Sequence, residues 1–181
     1  MSIIEYFRTI SPSGDERQAA SCELATPAAC LAEAVQNAVE ATDEERLTPL
    51  AADFCGEAYP RRFVLGVLTQ CYARQIYSSG EVREFLRREA AFVGIDPEPS
   101  PEAESISRFR VENRDVIREC LVAALTHLAE RKKSAGIITR INQAHVIEEA
   151  SRRLTIAAFI DGMDLPMERA VPALDEEYTL G

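Results

Sequence analysis

Apolar residues recur every three or four positions along most of this chain, and no segment alternates apolar with polar long enough to make a useful strand. Thr26-Pro27 predicts a helix start, with threonine as cap and proline at the first helical position. Leu31, Ala34, Val35, Ala38 and Val39 then mark the inward face of a helix over 27–41. Thr42-Asp43-Glu44-Glu45 predicts a shorter helix toward Phe54, interrupted near Pro49. From Pro60, a wide stripe of Phe63, Val64, Val67, Leu68, Cys71, Tyr72 and Ile76 predicts a helix buried on more than one side. Ser78 and Glu81 have the spacing of a capping box, opening a helix whose inward residues are Val82, Phe85 and Leu86.

Gly94 to Pro101 is the strongest break in the pattern. Ser100-Pro101 predicts the cap of a short helix carrying Ile106 and Phe109. Asn113 is the expected cap of a long helix with Val116, Ile117, Cys120, Leu121, Ala124, Leu125 and Leu128 inside. Arg131-Lys132-Lys133 suits the carbonyl end of that helix, and Gly136 suits its stop. A last helix is expected from Thr139 to Gly162, with Val146, Ala150, Leu154 and Ala157 inward. The predicted fold is all-α: a single bundle-like domain of six or seven helices over residues 26–162. It is flanked by an N-terminal arm, 1–25, and an irregular acidic tail, 163–181.

The charge distribution narrows the partners. The chain of 181 residues carries a net charge of −10. That charge divides as −8 over residues 1–60, +2 over 61–133 and −4 over 134–181, so only the middle can approach phosphates without strong repulsion. No apolar run reaches the ~20 residues that span a bilayer, and the first residues lack the pattern of a signal peptide. A cytoplasmic protein without a membrane role is expected. The five cysteines, Cys22, Cys30, Cys55, Cys71 and Cys120, are odd in number and unpaired in spacing. They read as buried thiols of a reducing compartment. His145 with Glu148 and Glu149 has ligand-like helical spacing, but that pattern is commoner as a surface polar pair, and neither metal nor cofactor is expected. No phosphate loop, nucleophile elbow or Cys–His pairing stands out.

Four fragments between Tyr59 and Lys133 occur in the order of a known pattern. They are Tyr59-Pro60; Gln75-Ile76-Tyr77-Ser78-Ser79; Arg88-Glu89-Ala90-Ala91-Phe92; and Ser105-Ile106-Ser107-Arg108-Phe109-Arg110. Together they resemble the N-terminal helical domain of bacterial insertion-sequence DDE transposases. Gln75 stands where the family motif has glycine, Ala90 where an acid is common, and Ser105 where threonine is usual. The resemblance covers about 75 residues. It implies a domain that binds the DNA ends of a mobile element and helps pair the transposase. Ile160-Asp161-Gly162 superficially echoes the family's first catalytic Asp-Gly, but it closes a helical pattern. The 19 residues after Gly162 leave no room for the strands and further acids of a two-metal site. The expectation is therefore a non-catalytic relative.

Candidate DNA contacts are Arg83, Arg87, Arg88, Arg108, Arg110 and Arg114, with Arg118 beside them, in a helix-turn-helix-like unit from Glu81 to Arg118. With Phe109 and Ile106 anchoring their helix, Arg108 and Arg110 are expected to face away from the core. The bland alternative pairs these arginines along helices, as for Glu84 with Arg88 and Glu104 with Arg108 at i, i+4. Duplex DNA is the expected partner, with a homodimer or a full-length transposase as further partners. The alternative function is a protein-interaction or dimerisation module without nucleic acid, suggested by the wide apolar stripes of the three longest helices.

Overall fold

A computed structural model describes residues 27–49, 59–96 and 100–164. Those residues form six α-helices and one turn of 3-10 helix, with no strand. The helices are α1 (Pro27–Glu40), α2 (Arg61–Ala73), α3 (Ser79–Phe92), α4 (Ala103–Glu112), α5 (Arg114–Ser134) and α6 (Gln143–Asp164), and the 3-10 turn is Glu44–Arg46. The all-α expectation stands. The proposed arm, the tail from Leu165, and Thr26, Cys22 and Cys55 lie outside the described residues.

Helix α2 is the centre of the bundle, packing against α1, α3 and α5. Ten consecutive residues, Phe63 to Tyr72, are buried, as a stripe too wide for one face requires. Helix α5 packs on α1, α2 and α6, and α4 packs chiefly on α3. Val35, Leu65, Leu68, Ile106, Phe109, Ile117, Leu121 and Leu154 are among the side chains that fill the single core. Cys71 and Cys120 are buried thiols outside any disulfide, and burial pushes their pKa values up to about 12 and about 11.

Several predicted helix starts shift. Of the helix expected from Thr42 toward Phe54, residues 50–54 lie outside the described residues; the part before them is one 3-10 turn, capped by Asp43, whose carboxylate accepts from the Glu45 amide at 3.0 Å. Side chains of α2 pin the chain on both sides of this turn: Arg61 donates to the Leu47 carbonyl after it and Arg62 to the Thr42 carbonyl before it, each at 2.9 Å. Asn113 does not cap α5 with its side chain. It accepts from the Thr48 amide at 2.7 Å and donates to the Thr48 and Phe109 carbonyls. Helix α4 starts at Ala103 rather than at Ser100-Pro101. Helix α6 starts at Gln143, where the Asn142 side chain accepts from the His145 amide.

Three helices end alike. In each, an amide reaches back across the last turn while the preceding residue turns left-handed, which satisfies free carbonyls. The bonds run from Ile76 to the Cys71 carbonyl, Ile95 to Ala90 and Ile137 to Lys132, all at 2.9 Å. The left-handed residues are Gly94 (φ 75°), Gly136 (φ 71°) and Gln75 (φ 65°). Glycine adopts that backbone freely, whereas glutamine does so against its Cβ.

Candidate functional site

The sharp corner between α2 and α3 leaves two helix ends facing each other, one rich in free carbonyls and one in free amides. Helix α6 answers both. Arg153 donates to the Tyr72 and Ala73 carbonyls at 2.9 and 2.8 Å, and Glu149 holds the same guanidinium at 2.8 Å. Eight residues further along, Asp161 accepts from the Ser79 amide at 2.9 Å and from the Ser79 hydroxyl. A cation thus sits at the carbonyl end and an anion at the amide end, the favourable pairing with both helix dipoles. Asp161 takes the capping role expected of Ser78, whose side chain makes no cap bond.

Asp161 also pairs with Arg110, at 2.5 Å. Arg110 is only 3% exposed and donates further to Ser107 (2.9 Å), Ser79 (3.4 Å) and Tyr72 (3.4 Å). The expectation that Arg110 faces away from the core is therefore corrected: it points inward and is spoken for by a buried polar cluster. Burial works against its charge, but Tyr72 and Asp161 outweigh burial and hold its pKa above the ordinary value. Burial likewise tends to raise the Asp161 pKa, and the bonds from Ser79 and Arg110 outweigh it and hold that carboxyl low. Glu149 is held down to about 2, by Arg152 first and then, against a smaller desolvation effect, by Arg153. The Tyr72 hydroxyl is pushed up to about 12 by burial.

The other candidate arginines lie nearer the surface. Arg88 and Arg74 both stack on the ring of Phe85, with guanidinium carbons 4.8 and 5.5 Å from its centroid. Arg87 pairs with Glu84 at 3.3 Å, Arg108 with Glu104 at 3.8 Å and Arg118 with Asp115 at 3.2 Å. Arg83 is half-buried and Arg114 exposed. The His145–Glu148–Glu149 spacing does not assemble a metal site, because Glu149 is committed to Arg152 and Arg153. Among the described residues no group of three His, Cys, Asp or Glu is placed to hold a metal ion, and no helix is long and apolar enough to cross a membrane.

Helix α6 has a second apolar stripe that sequence reading overlooked. Ile156, Phe159, Ile160 and Met163 follow i, i+3, i+4, i+7 spacing on the side away from Ala150, Leu154 and Ala157. Phe159 is 66% and Met163 61% exposed. Nearer the start of α6, a groove of about 780 Å³ opens between α1, α5 and α6, with Ala34, Ala38, Val122, His127 and Ile147 on its walls. Compared with family models, curated proteins and solved structures, the chain matches none of them.

Proposed function

We propose that this chain is a helical protein-interaction module that offers the outer stripe of α6 to an apolar surface on a protein partner. The observation that carries the reading is the exposure of Phe159 and Met163 on a helix pinned from behind by Arg153 and Asp161. Removing one such side chain from water stabilises a complex by about 1.5–3 kcal/mol. Anchors at i, i+3, i+4 and i+7 are the pattern that a hydrophobic groove reads from a helix. Charge selects the class of partner: a net −10 disfavours polyphosphates and anionic membranes, leaving protein surface as the natural match. The stripe alone is short of the roughly 800 Å² per partner of a stable interface, so the association is a transient one.

Duplex DNA is the second reading, supported by the resemblance of residues 59–133 to transposase N-terminal domains and by the exposed Arg88, Arg108 and Arg114. Its electrostatics are weaker, because most of these arginines already share carboxylate neighbours. One pair of measurements separates the two. A photo-crosslinking residue at position 159 should yield a discrete protein adduct in cells, lost in Met163→Glu while the melting temperature holds. Fluorescence anisotropy against randomised duplex DNA at about 50 and about 200 mM salt should stay flat. A salt-sensitive rise with no adduct would transfer the function to DNA.

A further inference from the structure

The Asp161 corner has the composition of an oxyanion site. The amide and hydroxyl of Ser79, at the start of the fourteen-residue helix α3, converge with the Arg110 guanidinium on one carboxylate. Ser107 and Tyr72 orient that guanidinium from behind. Its Nε is buried with no hydrogen-bond partner among the described residues, so Arg110 holds a donor that the carboxylate leaves unused. A helix amino end, an arginine and hydroxyls together are a strong match for phosphoryl or carboxylate oxygens.

The group filling this cradle sits at the very end of its helix, held there by the cradle contacts themselves. Asp161 lies in the last turn of α6, beside the exposed Gly162 and Met163. Among the described residues, helix α6 contributes only Ala150, Leu154 and Ala157 to the buried core, against the ten buried residues of α2. The segment joining it to α5, 135–142, is almost wholly exposed. Terminal turns with few buried contacts open at a small fraction of the global unfolding free energy.

We propose that Ser79 and Arg110 form an oxyanion-binding cradle, with Ser107 orienting the guanidinium, that the chain keeps shut with its own Asp161. The end of α6 acts as a releasable strap, and an external phosphoryl or carboxylate group takes the cradle when the strap lifts. The contact is autoinhibitory: the tethered carboxylate has a high effective concentration, so a free anion competes only when α6 is displaced.

The test uses the full-length chain. In Asp161→Ala, inorganic phosphate or acetate should raise the melting midpoint by roughly 5 °C at about ten times its dissociation constant. The wild type should shift by neither, and Asp161→Ala/Arg110→Gln should lose the response. The stronger of the two anions identifies the phosphoryl or the carboxylate source. Hydrogen exchange on the wild type should show amides around Asp161 opening at least tenfold faster than those around Leu121. A folded Asp161→Ala chain indifferent to both anions overturns the cradle. Exchange at Asp161 only through global unfolding overturns the strap. Should Asp161→Ala not fold, Asp161→Asn takes its place in every arm, and failure of both to fold makes Asp161 a core residue and ends the proposal.

Discussion

Arg108 and Arg110 stand two residues apart on α4 and meet opposite surroundings. Arg108 is about half exposed, with Glu104 one turn back at 3.8 Å. Arg110 is buried, with Asp161 of a distant helix in direct contact. A 200° step around a helix separates solvent from core. An arginine's place in a motif says little about its work until the helix phase is known. Ile106 lies one turn before Arg110 and is buried, so the phase was available in the sequence.

The largest effect should come from breaking the buried side. Arg110→Ala leaves Asp161 and Tyr72 without their cation, and removing one partner of a buried pair typically costs about 3–5 kcal/mol. Chemical denaturation should show a lowered midpoint with an unchanged slope. A loss below about 1 kcal/mol would mean that water enters the corner and the cluster is not a closed network.

Acid should weaken the same corner next. The Asp161 and Glu149 carboxyls are depressed in the folded chain relative to ordinary carboxylates near 4. For depressed carboxyls the unfolded chain binds more protons, so their stabilisation is fully present above the ordinary carboxylate pKa and is lost as pH falls through the folded values. The window therefore opens below about pH 4 and extends to about 2, the Glu149 value. Melting midpoints of the wild type should drop through this window, and those of Asp161→Asn and Glu149→Gln should drop less. Parallel curves for all three would assign the acid sensitivity to other carboxylates.

A smaller effect with the opposite sign is expected at the α2–α3 corner itself. Gln75 holds φ 65° with an exposed side chain, at the position where the resembled motif carries glycine. Gln75→Gly relieves a left-handed strain of about 1–2 kcal/mol and gives back part of it through the greater freedom of glycine in the unfolded chain. A net gain of about 1 kcal/mol or less should appear as a higher melting midpoint. A loss would mean that the glutamine side chain makes a contact stronger than the backbone strain.

The helices themselves were largely legible. Wide stripes located α2 and α5, and Gly136 marked the stop after α5, because burial and backbone freedom are written in single residues. Helix starts were less legible. Ser78, Ser100 and Asn113 all have capping chemistry, but caps compete with partners that arrive from far along the chain, such as Asp161 at Ser79 and Thr48 at Asn113. The polar cluster was half legible. Asp161 continues the inward series Val146, Ala150, Leu154, Ala157, so a charge on that stripe signals a buried partner. Which partner it meets depends on tertiary packing, which no local pattern carries.

The smallest change, and the most informative one, is expected on the exposed face of α4. An i, i+4 pair at half-exposed positions contributes under about 0.5 kcal/mol, so Arg108→Ala should melt almost like the wild type. The transposase-like reading gives Arg108 a phosphate to contact, and its removal should then lower DNA affinity and flatten the salt dependence by about one ion. If the variant keeps its stability and the anisotropy against duplex DNA is flat for both chains, Arg108 is a solvated helix pair. Functional weight then stays with the outer face of α6. If stability holds while a wild-type DNA signal is lost, the two arginines divide the labour of one helix. Arg110 closes the core, and Arg108 reads what lies outside it.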